Sequence, residues 1–139
     1  MSASAAKLYS SEVLGLATGL AAWPHNVDMP LQGKARSQSC GSTLVMSLST
    51  DSDAAISQIG IAAQACAVGQ ASAALFAASA IGKSRGEIIA MAAAMERWLS
   101  SEGGMPEWPN ISALAEAQNF PARHGAMMLP WRAALDALP

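Results

Sequence analysis

Apolar residues recur at helical spacing towards both ends of the chain and alternate with polar ones near its middle. Leu8, Val13, Leu16 and Leu20 line one face of a helix predicted over Ala6 to Ala21, and Pro24 ends that pattern. Trp23 is placed to pack the helix end against the body. His25 to Pro30 reads as a loop. A short polar strand is predicted over Lys34 to Ser39, and a stronger one over Thr43 to Leu48 with Leu44, Met46 and Leu48 on one side. Thr50-Asp51-Ser52-Asp53 makes a turn, and a third strand runs from Ile56 to Ile61. The intervening turns leave no room for crossover helices, so the three strands pair antiparallel.

Helices follow from Ala67 to Ala80 and from Ser84 to Leu99. Ser84 with Glu87 fits a capping box, and Ile88, Met91, Met95 and Trp98 form the buried stripe of the second of these helices. Gly103-Gly104-Met105-Pro106 breaks the chain. A short helical turn is predicted near Ile111 to Gln118, and a last helix over His124 to Leu138. Pro130 must kink that helix or stand where its regular part begins. The fold class that results is α+β: one domain over residues 1–139, with a small three-stranded antiparallel sheet packed against several helices.

Composition narrows the function classes. The chain is 52% hydrophobic and 13% charged, which is a folding composition. A formal net charge of -2, from 8 basic and 10 acidic residues, argues against nucleic acid as a partner. The stretch Ala71 to Ile81 is too short to span a bilayer before Lys83 interrupts it, so no membrane role is expected. No basic region followed by a long apolar run opens the chain, which makes a cytoplasmic location the expectation. Reduced cysteines follow from that location. No phosphate-binding glycine loop, Ser-His-Asp spacing or carboxylate pair suggests another chemistry.

Two cysteines carry the candidate chemistry. Cys40 lies in Ser39-Cys40-Gly41-Ser42, and Cys66 lies where a strand passes into a helix. Their separation of 26 residues excludes a local metal knuckle, though a fold can still unite them. A helix start offers unpaired backbone N–H groups and the positive helix end, both suited to an anionic ligand. Gly41 can adopt a backbone conformation that other residues resist. Each cysteine taken alone is equally explained as a small buried hydrophobe.

The surrounding motifs change that balance. Ser37-Gln38-Ser39-Cys40-Gly41-Ser42, Ala65-Cys66-Ala67-Val68-Gly69-Gln70-Ala71-Ser72-Ala73 and Arg123-His124-Gly125-Ala126-Met127-Met128-Leu129-Pro130-Trp131 occur in this order, after a helix carrying Tyr9-Ser10. In these segments the chain resembles the iron-sulfur cluster assembly scaffold family of the IscU, NifU N-terminal and SufU type. The resemblance implies that Cys40 and Cys66 bind a transient iron-sulfur cluster, and that Cys66 can accept sulfur. It also implies departures: Ser42 stands where the family has an aspartate, and Ala126 where it has a third cysteine. Two inherited ligands remain for a site that prefers four. His124 is a candidate substitute ligand, for zinc or for one iron of a cluster.

Three readings follow. The first is a cluster assembly scaffold or sulfur-trafficking protein, served by a cysteine desulfurase or other sulfur donor and emptied by iron-sulfur acceptor proteins. A homodimer pooling four thiolates, or a partner's ligand, would complete its site. The second is a scaffold-like interaction protein without metal, with Met127 and Met128 read as core residues before contact residues. The third is a zinc-dependent sulfurtransferase with Cys66 as persulfide acceptor and His124 as proton donor. A non-enzymatic scaffold is the preferred expectation.

Overall fold

The computed structural model describes residues 7–38 and 41–139. Strands β1 (Leu31–Arg36), β2 (Thr43–Thr50) and β3 (Ile56–Gln64) form one antiparallel sheet in the order β1-β2-β3. Leu44, Met46 and Leu48 are buried on its inner face, as their alternation predicts. β1 begins three residues earlier than its polar run suggests, pairing Leu31 with Leu48 and Arg36 with Thr43. Gly33 is the reason: the Ala133 carbonyl and Ala137 occupy the space a side chain there would fill, so only glycine lets the last helix lie across this strand. The chain then leaves the sheet at Ser37, whose N–H donates to the Ser42 carbonyl at 2.8 Å while its own carbonyl accepts from Gly41 N–H at 2.9 Å. The expected strand end at Ser39 lies outside the described residues. β3 continues to Gln64, which pairs with Thr43.

The first helix departs from its expected outline. Lys7 and Leu8 are helical, Ser10 is extended, and α1 (Ser11–Gly19) starts anew. Ser10 causes the break because its Oγ accepts from Val13 N–H at 3.2 Å, a capping geometry that a mid-helix residue cannot hold. A 3₁₀ turn over Leu20–Ala22 leads to Trp23. Helices α2 (Ala67–Ala80) and α3 (Arg85–Leu99) match their predicted spans, and Ser84 and Glu87 form the reciprocal capping box. The segment Ile111–Asn119 is 3₁₀ and not α-helical. Ile111, Leu114 and Ala117 are its buried residues, and their spacing of three matches the tighter helix.

Helix α4 (His124–Ala137) contains Pro130 in its interior and continues through it as one element. Proline brings no N–H to the Ala126 carbonyl, so the helix passes this point with one hydrogen bond fewer. Packing holds it in place: Met127, Met128, Leu129 and Trp131 are all buried, which makes the two methionines core residues. Trp131 meets Phe76 and Trp108 edge to face, with ring centroids 5.4 Å away in both cases. Phe76 and Trp108 stack at 5.5 Å, and Trp108 Nε1 donates to the Leu75 carbonyl at 2.9 Å. Each such aromatic pair adds about 1 kcal/mol beyond its buried area. Between α2 and α4, Ser72 Oγ donates to the Met127 carbonyl at 2.7 Å.

Two substitutions test this packing in urea. Gly33→Ala should lower stability by about 2–3 kcal/mol, because backbone must move to admit one carbon. Ser84→Ala should cost about 1 kcal/mol through loss of the cap. An unchanged unfolding midpoint for Gly33→Ala would contradict the close crossing of α4 over β1.

Candidate functional site

The antiparallel register decides where the sulfur chemistry can gather. Thr43 opposes Gln64, so the chain entering β2 and the chain leaving β3 lie side by side at one end of the sheet. Ser37, Gly41 and Ser42 lie there, joined by backbone hydrogen bonds, and Ala65 and Cys66 leave there. Cys40 itself lies outside the described residues. Its flanks do not: Gly41 has φ of +69°, the left-handed conformation anticipated from its residue type, and Ser42 is buried.

Cys66 is the N-cap of α2, with extended backbone, φ -65° and ψ 170°. Its side chain makes no capping hydrogen bond, and it is half-buried with a free thiol. No acidic residue occupies the first turn of α2, so the positive end of this helix is not offset from within. Gln70 fixes the entry: its Nε2 donates to the Ala65 carbonyl at 3.0 Å, and its N–H donates to the Cys66 carbonyl at 3.0 Å. The sequence signal for Gln70 was its place one turn after the cysteine, where a long amide can reach back.

Ala126 closes the other side. A carbon placed on Gly69 would lie 3.3 Å from Ala126 Cβ and 2.9 Å from Ala65 Cβ, so three small residues meet in the first turn of α2. From there the paired positions advance together along both helices, Gly69 with Ala126, Ser72 with Met127 and Phe76 with Trp131. The N-termini of α2 and α4 therefore open at the same end of the molecule. Ala126 is fully buried at the position where the family resemblance expects a thiol. Its methyl cannot hold a metal.

His124 lies on another side of α4. Two residues along a helix turn the side chain by about 200°, which separates it from Ala126. Its Nε2 is 3.0 Å from the Ala117 carbonyl and 3.1 Å from the Gln118 carbonyl, so that nitrogen carries hydrogen and donates. The residue lines a cavity of about 330 Å³ with Glu96, Ser100 and Arg132, where Arg132 and Glu96 pair at 3.6 Å. Among the described residues no group of three His, Cys, Asp or Glu side chains is arranged to hold a metal ion. No helix among them is long and apolar enough to cross a membrane.

Solved structures resemble this architecture over nearly its whole length. An N-terminal NifU-like protein from Brucella abortus is 26% identical with a TM-score of 0.88, the match covering 97% of this chain and 94% of that one. A putative iron-sulfur cluster assembly scaffold protein for the SUF system from Fervidobacterium islandicum is 20% identical with a TM-score of 0.83, covering 96% and 98% respectively. No protein-family model and no curated protein matches the sequence. The chain is thus similar in structure to the NifU N-terminal and SufU type of scaffold protein, in agreement with the resemblance read from its motifs.

Half-burial of Cys66 has a direct readout. In a Cys40→Ala chain, iodoacetamide should add one group to the folded protein, seen in the intact mass. Labelling that requires denaturant would place this sulfur inside the core.

Proposed function

We propose that the protein is an iron-sulfur cluster assembly scaffold or sulfur-trafficking protein, in which Cys40 and Cys66 hold the cargo. What supports this reading is Cys66 at the start of α2, beside the small-residue contact with α4, in a fold similar to known scaffold proteins. A partly exposed cysteine at the start of α2 suits transient holding: cargo can arrive and leave without unfolding the core. Cys66 is also the sulfur acceptor in this proposal, with a cysteine desulfurase or comparable donor supplying sulfur and acceptor proteins taking up the product.

The ligand count shapes the mechanism. Two thiolates leave an iron centre short of its usual four ligands. The cargo is then completed by sulfide and by a ligand from outside, either a partner's or a second chain's pair of thiolates in a homodimer. His124 keeps its hydrogen-bonding role between α4 and the 3₁₀ segment, so the proposed holding set rests on the cysteines. A second reading is favoured by Ala126 and Ser42: the same frame retained for partner contact, with no metal handled.

Anaerobic reconstitution with iron and sulfide separates the two. Bound iron and sulfide, lost in Cys66→Ala or Cys40→Ala, are expected; absence of both metal and sulfide would favour the contact role. Ala126→Cys supplies a third thiol opposite Gly69, and should slow loss of the cluster to a chelator several-fold. An unchanged loss rate would count against cargo at this end of the sheet.

A further inference from the structure

Among the described residues, the outer face of the sheet is covered along only part of its length. Residues 23–26 lie over one part: the Pro24 carbonyl and His25 Cα fill the space above Gly60, and Asn26 N–H donates to Ser47 Oγ at 3.0 Å. Towards the cysteine end two cross-strand rows remain, Lys34–Val45–Ala62 and Arg36–Thr43–Gln64. Side chains in both rows share the outer face, because they alternate with the buried Leu44, Met46 and Ile61. Lys34, Arg36, Ala62 and Gln64 are exposed, and Val45 is 40% exposed.

Neither cation has an ion-pair partner among the described residues, where the single pair is Arg132 with Glu96. Asp136 adjoins Lys34 and Val45 around a hollow of about 240 Å³, and its Oδ2 accepts from the Lys34 backbone N–H at 2.9 Å. That bond closes the outer edge of β1 at this point to an added strand. An incoming chain must lie on the face. Lys34 and Arg36, two strand residues apart, are separated by about 7 Å, the repeat of alternate side chains in an extended peptide. The rows lead to Ser37 and Ser42 on one side and to Cys66, two residues beyond Gln64, on the other.

We infer that this exposed half of the sheet docks an acidic, extended segment of the protein that brings sulfur to Cys66. Carboxylates meet Lys34 and Arg36, while alternating apolar side chains cover Val45 and Ala62. The inference rests on the sulfur-handling role proposed above for its choice of partner, but its surface can be tested without metal.

The probe is a short fluorescein-labelled peptide of alternating Glu and Val, followed by anisotropy at low salt, with a Gln and Val peptide as comparison. The Glu peptide should bind, weaken as salt rises, and bind the Lys34→Glu/Arg36→Glu chain about tenfold more weakly. The Gln peptide should bind far less. Arg85→Glu/Arg97→Glu, which changes as much charge elsewhere, should leave binding intact. No binding, equal binding by the Lys34→Glu/Arg36→Glu chain, or equal loss in the Arg85→Glu/Arg97→Glu chain overturns the inference. Cys66→Ala should bind the peptide as the parent does. A chain that docks the peptide but takes up neither iron nor sulfide defeats the cluster reading alone; one that assembles cluster and ignores the peptide defeats the docking surface alone.

Discussion

The contact between α2 and α4 is the constraint from which the rest of the molecule follows. Gly69 against Ala126, Ser72 bonded to the Met127 carbonyl and Phe76 against Trp131 fix two helices side by side with their starts together. Small residues at the opening of this contact let the backbones approach, and aromatic rings beyond it supply the buried area that holds them. Because α2 follows directly from β3, the same contact also decides where the sheet ends relative to α4. A larger side chain at Gly69 would separate all three.

That dependence also sets the place of Cys66 through backbone geometry and packing. Cys66 is set by the end of β3, the Gln70 bonds and the start of α2, none of which requires a metal. Ala126 is held by burial and contributes to packing as a methyl group. The frame at this end of the sheet is therefore held by packing and hydrogen bonds.

Much of the fold was legible because local and tertiary preferences agree. The capping box at Ser84 and Glu87, the alternation of Leu44, Met46 and Leu48, and the apolar stripe of α3 each specify one structure. The position of β1 was not legible, since its placement depends on a backbone crossing at Gly33 by residues a hundred positions later. The cap at Ser10 was not legible, because a serine reads alike within a helix and at its start until its neighbours are placed. At the site, Gly41's conformation and the place of Cys66 at a helix start followed from residue type and pattern. The side of α4 that His124 takes was also legible, since two residues along a helix turn it away from Ala126. Its carbonyl partners at Ala117 and Gln118 were not, because only the fold places that segment beside it. Gln70's bridging role emerged only with the backbone that it joins.

The aromatic cluster has an optical consequence. Trp108 and Trp131 pack against Phe76, which lies about 15 Å along α2 from Cys66. Their emission, with that of Trp23 and Trp98, reports the integrity of the frame. An absorbing group at the Cys66 sulfur would stand within energy-transfer range of the rings and dim them. A loosened frame would instead let water reach them and shift their light to the red, so the two events carry different spectral signatures.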